Sequence, residues 1–263
     1  MMGQAQDHAQ AWRARPVGSA ASDIDLVFDR ADRPATVTGL LAACVSGADG
    51  LAVDADEAWS WSLSQRLQAL LAMRVASGEV SLDLQSSCTR CGEAMEVQLD
   101  LRDFAGEPAS PRFTWHSDDG LELTLRLPNG RDLQRWMQGP LASPASHEAL
   151  AASLIESVVG VPAGTQPPAL SALLPALDDA FEAHDPLTAL RLHATCPACA
   201  HGNILACDLE SMLIDGFARA QVRMLDDVLR LARAFHWSEA EILALPSWRR
   251  AHYLSQIDQG SWV

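Results

Sequence analysis

Leu82-Asp-Leu-Gln-Ser-Ser-Cys88-Thr-Arg-Cys91 and Leu190-Arg-Leu-His-Ala-Thr-Cys196-Pro-Ala-Cys199 are two versions of one pattern. A shift of 108 positions superimposes both cysteine pairs, Leu82 on Leu190 and Leu84 on Leu192, and carries Asp100-Leu101 onto Asp208-Leu209. Around the first pair, Val80, Leu82 and Leu84 alternate with polar residues, as do Met95, Val97 and Leu99 beyond it. A period of two marks a strand with one buried face. Each unit is therefore expected to be a β-hairpin with two thiols at its tip. One CxxC cannot complete a tetrahedral metal site, whereas two can, and four thiolates suit a closed, structural zinc. Cys88, Cys91, Cys196 and Cys199 are the candidate ligands of one zinc ion, about one per chain. Their separation exceeds that of an ordinary zinc ribbon, so the pairing rests on the internal repeat. The alternatives are two separate partial sites, no metal, or redox-active cysteine pairs.

Working outward, a helix is expected over Trp59–Ala76, with Leu63, Leu67, Leu70, Leu71 and Val75 on one face and Gly78 ending it. A second is expected over Leu170–Ala183, ahead of the second cysteine unit. Each half then reads helix, strand, knuckle, strand, as an internal duplication does. Between the halves, Leu121–Leu127 alternates strictly and reads as a strand. Pro128-Asn129-Gly130 breaks the chain before a short helix over Asp132–Met137 and a longer one over His147–Val159, and residues 160–168 read as a Pro/Gly loop. Residues 23–28 alternate as a first strand, and residues 1–22 read as a flexible polar tail. From Leu209 to Phe235, helical spacing holds for about seven turns. Ser238 and Glu241 form a capping box, and Ser247–Ile257 continues as a helix after Pro246.

The expected fold class is α+β: duplicated, zinc-ribbon-like helix–hairpin units plus a C-terminal helical segment. In domain terms this is a tail over 1–22, a zinc-knuckle domain over 23–208 (halves 59–102 and 170–208) and a helical segment over 209–263.

Composition narrows the function. The chain has 263 residues, a formal net charge of −15, and arginine as its sole fixed cation type, without a single lysine. Such a chain is repelled by a phosphate backbone, and the best basic patch, Arg249 and Arg250 with Arg230 and Arg233 upstream, is small. Nucleic-acid binding is thus not expected as the main activity. No apolar run approaches the ~18 residues of a membrane span. Met1–Arg15 lacks the apolar stretch of a secretory signal. The expectation is a cytoplasmic protein with reduced thiols, which reads CxxC pairs as ligands before disulfides.

No GxSxG, HExxH, phosphate-binding loop or dinucleotide fingerprint is present. The acidic pairs Asp118-Asp119, Asp178-Asp179 and Asp226-Asp227 are sequence neighbours, which point apart on a helix. No enzyme activity and no small-molecule substrate are expected. His201 reads as a solvated turn residue, and Cys44 and Cys207 as small buried hydrophobes.

One further stretch, Ala234-Phe-His-Trp-Ser-Glu-Ala-Glu-Ile-Leu-Ala-Leu-Pro-Ser-Trp-Arg-Arg-Ala-His-Tyr-Leu-Ser-Gln-Ile257, resembles the C-terminal signature of phage baseplate proteins of the T-even hub type, found in contractile-tail and injection-system clusters. Those proteins carry a long helix, a Trp-Ser-Glu-x-Glu-Ile-Leu-x-Leu run and an Arg-Arg-x-x-Tyr-Leu helix. Cys196-Pro197-Ala198-Cys199 and the knuckle at Cys88–Cys91 match as well. The similarity is good over 190–257, looser over 60–130 and not found over 140–170. Ala200 departs from the usual knuckle glycine, which tolerates positive φ. The resemblance implies a baseplate or hub component, or an assembly factor, whose partners are other tail proteins and whose location is the cytoplasm or an assembled particle. Trp237, Trp248, Arg249, Arg250 and Tyr253 become candidate partner contacts. The competing readings are a zinc-ribbon adaptor for nucleic acid and a CxxC thiol oxidoreductase.

Overall fold

Strand β1 (Trp12–Ala14) leads through a 3₁₀ turn at Ala21–Asp25 into helix α1 (Arg33–Cys44), and α1 runs straight into β2 (Val45–Gly47), which pairs antiparallel with β1. The computed structural model describes residues 12–138, 144–160 and 168–260. Two expectations are corrected here. The supposed tail is docked from Trp12 onward: Trp12 is buried with its ring 5.9 Å from that of Trp61. Residues 1–11 of that tail lie outside the described residues. Nor is 23–28 a strand. The buried Asp23 carboxylate accepts two 2.7 Å bonds from the Arg15 guanidinium and one from the Gly18 N–H, and turning it inward requires a tight turn rather than extended chain.

The helix expected over Trp59–Ala76 is two helices, α2 (Ala55–Ser60) and α3 (Leu63–Ala76). Ser62 divides them by starting a capping box: its hydroxyl accepts from the Gln65 N–H, and the Gln65 carboxamide accepts from the Ser62 N–H. Arg66 on α3 is fully buried. It donates to the carbonyls of Pro34 (2.6 Å) and Ala58 (2.9 Å) and to the Thr38 hydroxyl (3.1 Å), binding α1 and α2 to α3. Burial lowers its pKa to about 10.

The hairpin of β3 (Ser81–Ser87) and β4 (Ala94–Asp100) forms as the alternation requires, with Leu82 opposite Leu99 and Leu84 opposite Val97. Strands β5 (Arg112–His116) and β6 (Glu122–Arg126) follow, then α4 (Gly130–Met137), α5 (Pro144–Leu154) and β7 (Ile155–Val159). Asn129, expected to break the chain, caps α4 by accepting from the Asp132 N–H. The helix expected over 147–159 stops at Leu154. The β-branched Ile155, Val158 and Val159 favour a strand, and β7 completes the antiparallel sheet β5-β6-β7. Residues 161–167 of the expected loop lie outside the described residues.

Helix α6 (Leu170–His184) covers that sheet, with Leu173, Leu177 and Phe181 against Leu121, Leu123, Leu125 and Phe113. This limits the repeat. Helix α3 lies in the main core, whereas α6 lies on a separate sheet, so the likeness is confined to the first hairpin and that of β8 (Arg191–Thr195) and β9 (Gly202–Ala206).

Helix α7 (Leu209–Phe235) spans the expected range, capped by Asp208, and α8 (Glu239–Leu243) carries the Ser238–Glu241 capping box ahead of α9 (Ser247–Asp258). The first half of α7 is embedded in the main core through Leu213, Ile214 and Phe217, beside Leu40, Leu41, Leu70 and Leu71. Its second half joins Ile242 and Leu254 through Val228 and Leu231. The helix therefore begins inside the main core and ends in a smaller one. Among the described residues, no helix is long and apolar enough to cross a membrane.

Candidate metal centre

The two hairpins face each other through Leu84, Met95, Leu192 and Leu205, and this brings their tips together. Cys88 lies 3.7 Å from Cys199 and Cys91 lies 3.6 Å from Cys196, sulfur to sulfur, and all four sulfurs fall within 4.8 Å of one another. These separations are far from a disulfide bond of about 2.05 Å. A tetrahedral ZnS4 centre with Zn–S near 2.3 Å has S···S edges of about 3.8 Å, so the donor set fits such an ion. Cys88 and Cys196 are buried, Cys199 is half-buried and Cys91 is exposed, which leaves one side of the cluster open to solvent.

Both tips use the same backbone bonds. The Cys88 N–H donates to the Glu93 carbonyl (2.8 Å) and the Gly92 N–H to the Cys88 carbonyl (2.9 Å). In the second tip the Cys196 N–H donates to the His201 carbonyl (2.9 Å) and the Ala200 N–H to the Cys196 carbonyl (3.0 Å). Gly92 has φ +76° and Ala200 φ +55°. The alanine thus takes the left-handed conformation that glycine adopts freely. The likeness therefore extends to the turn in spite of the substitution.

The electrostatics of Cys88, Cys91 and Cys199 suit a cation. Burial disfavours the Cys88 thiolate, but the backbone N–H groups of Cys91 and Arg90, with the Cys196 and Asn203 side chains, outweigh it and bring the thiol down to about 6. Its neighbours respond the other way. The His201 N–H favours a Cys199 thiolate, yet burial and the three adjacent cysteines push that thiol up to about 12. Cys91 is also raised, by burial and by Cys196 and Cys88, against the Glu93 N–H and Cys199. Negative charge on one sulfur thus opposes charge on the next, and a divalent ion at their centre removes the conflict.

A family model described as T4 bacteriophage base plate protein matches residues 26–162, just over half of the chain. The chain belongs to the T4 bacteriophage base plate protein family. No curated protein and no solved structure matches it. The base plate family match takes in the first cysteine hairpin, the sheet β5-β6-β7 and residues 140–162, most of the 140–170 stretch in which the sequence resemblance is not found. The second hairpin and the Ala234–Ile257 signature lie outside the matched range.

Sequence reading missed Asn203, the polar residue that joins the two tips of this base plate protein. Its buried carboxamide oxygen accepts from the Thr89 N–H and hydroxyl, both at 2.9 Å, while its NH2 donates to the His201 carbonyl at 2.9 Å and faces the Cys88 sulfur at 3.7 Å. The repeat held a signal. Asn203 stands where the first unit has Met95, and a polar residue replacing an apolar one on a buried face needs a partner. The reciprocal bond is impossible, because Pro197 occupies the position of Thr89 and has no N–H. Cys44 and Cys207 are buried in the main core as expected, and burial pushes the Cys44 thiol up to about 11. The His201 ring is not part of the sulfur cluster.

The candidate partner residues separate into three groups. Trp237 and Tyr253 form an aromatic cluster with Phe235, with ring centroids 4.6 to 5.6 Å apart. Arg250 is buried and donates to the carbonyls of Leu245 (2.8 Å) and Gly18 (3.0 Å), so it ties the N-terminal segment to α9 and is not free for a partner. Trp248 is 67% exposed, and the Arg249 guanidinium sits 5.3 Å from its ring centroid.

Proposed function

We propose that this protein is a non-enzymatic structural or assembly component of a phage-like contractile-tail baseplate, with its two hairpins held together by one structural zinc. The family match supports the baseplate role. The observation that carries the zinc is the convergence of Cys88, Cys91, Cys196 and Cys199 within 4.8 Å from hairpins far apart in sequence. A cluster with one member per strand end and no helix after Cys199 suits a closed metal site better than a thiol oxidoreductase, whose attacking cysteine ordinarily opens a helix; β9 follows Cys199 instead. The ion supplies folding free energy to a region whose apolar cluster is small.

In this reading the exposed Trp248–Arg249 pair contacts other tail proteins, while Trp237 and Tyr253 belong to the apolar cluster that packs α9 against α7. The protein is made in the cytoplasm and joins the particle there. An affinity-tagged chain isolated from a particle-producing strain should bring down baseplate or tail proteins, identified by mass spectrometry. Recovery of the chain without any of them counts decisively against the role.

A further inference from the structure

Helix α7 carries a second apolar face that nothing among the described residues covers. Its core side is the line of Phe217, Met224, Val228 and Leu231, all buried. A different line, Ala218, Val222, Leu225 and Leu229, recurs at spacings of four, three and four residues, which is the seam of a helix–helix contact. Val222, Leu225 and Leu229 are 55%, 44% and 48% exposed. At about 1.5 Å per residue the line is roughly 16 Å long. Near its start, Ala218 and Val222 border an open groove of about 410 Å³ between α7 and the Phe28–Arg30 segment.

The rim of this line is cationic on a molecule whose net charge is −15. Arg219 and Arg233 are exposed beside it and have no ion pair among the described residues. Arg223 and Arg230, one step further round, are bound to Glu79 and Asp258. Asp226 stands between the two free arginines. A second copy of the chain suits this face poorly, because it would set the same unpaired arginines against these. An apolar seam flanked by unpaired arginines fits the opposite charge pattern.

We propose that this face of α7 docks an amphipathic helix of a partner protein, with leucine-type residues on its seam and carboxylates opposite Arg219 and Arg233. The proposal rests on the assembly role above and names the chemistry of one partner in it.

The test uses the full chain and two designed helical peptides of about four turns with identical leucine seams, one flanked by glutamates and one by lysines. Fluorescence anisotropy should show saturable binding of the glutamate peptide alone. Leu225→Ser/Leu229→Ser should weaken it by at least about tenfold, the scale of two lost leucine contacts. Arg219→Glu/Arg233→Glu should abolish it and admit the lysine peptide. All of these positions are exposed, and circular dichroism confirms that the variants stay folded. Equal binding of both peptides, unchanged binding by the variants, or a dimer in sedimentation that Leu225→Ser/Leu229→Ser dissolves overturns the proposal. Failure of the glutamate peptide to bind while the tagged wild-type chain still recovers baseplate proteins overturns the docking face and leaves the assembly role standing.

Discussion

Exchanging Gly92 and Ala200 measures how closely the two knuckles share one geometry. Both residues lie in the left-handed region, at φ +76° and +55°, and each donates its N–H to the carbonyl of the first cysteine of its pair. A residue with a Cβ pays roughly 1–2 kcal/mol for that conformation. Replacing alanine by glycine loosens the unfolded chain and returns about 0.4–1 kcal/mol of the gain. Ala200→Gly should therefore stabilise the protein by about 0.5–1 kcal/mol. Gly92→Ala should destabilise it by a similar amount, because a Cβ there meets no atom within 4 Å and only the backbone strain is felt. In a chain of this size 1 kcal/mol corresponds to about 2–4 °C in Tm. Urea denaturation of the zinc-saturated protein gives the free energies, and the doubly exchanged variant should return close to the wild-type value. If Ala200→Gly lowers stability, or if Gly92→Ala is neutral, the alanine is not strained and the shared turn geometry is wrong.

Other perturbations test the parts that hold the hairpins in place. Arg66→Leu removes the guanidinium bonds to Pro34, Ala58 and Thr38; the Pro34 carbonyl keeps its bond from the Thr38 hydroxyl, while the buried Ala58 carbonyl and Thr38 oxygen lose their side-chain donor. At roughly 1–3 kcal/mol per orphaned group, a loss of about 3 kcal/mol or more is expected in denaturant titration, and a loss below about 1 kcal/mol refutes the bracing role. Asp132 gives a pH test. Burial acts to raise its carboxyl, but bonds from Arg126 and from the Asn129 N–H outweigh burial and hold it below its ordinary 3.8. A depressed folded-state pKa contributes stability that is present above 3.8 and lost as the pH falls through that value and below. Asp132→Asn should thus be destabilised relative to wild type at pH 7, with the gap narrowing below about pH 4 in stability–pH curves; a gap that stays constant with pH contradicts the assignment.

The residue pattern revealed most about the two hairpins and α7. Alternating Leu82, Leu84, Val97 and Leu99 are paired across one face as the period of two requires, and the single long apolar spacing from Leu209 to Phe235 is one uninterrupted helix. The misreadings arose where local signals compete. Trp59–Ala76 has continuous helical periodicity, yet the capping propensity of Ser62 with Gln65 divides it. Ile155–Val159 follows a helical stretch without a break residue, and only its β-branched side chains and the neighbouring β6 make it a strand. Asp23–Phe28 alternates as a strand does, but a buried carboxylate bonded to Arg15 overrides that pattern. The four cysteines were legible because the repeat pairs them. Asn203 was not, because its partners Thr89 and His201 become neighbours only when the hairpins meet. The solvent-facing line of α7 was hidden for a related reason: sequence shows which residues are apolar, and only the folded chain shows which apolar face is left uncovered.

Metal content measured on the purified chain is the sharpest test of one zinc shared by the two hairpins. Elemental analysis should find about one zinc per wild-type chain. Cys88→Ser and Cys196→Ser, which leave equivalent three-sulfur sites on opposite hairpins, should lose it and lose stability to a similar extent. Zinc content unchanged in Cys88→Ser, or a wild-type chain that folds with full stability after its metal is chelated, contradicts a single ion shared by the two hairpins.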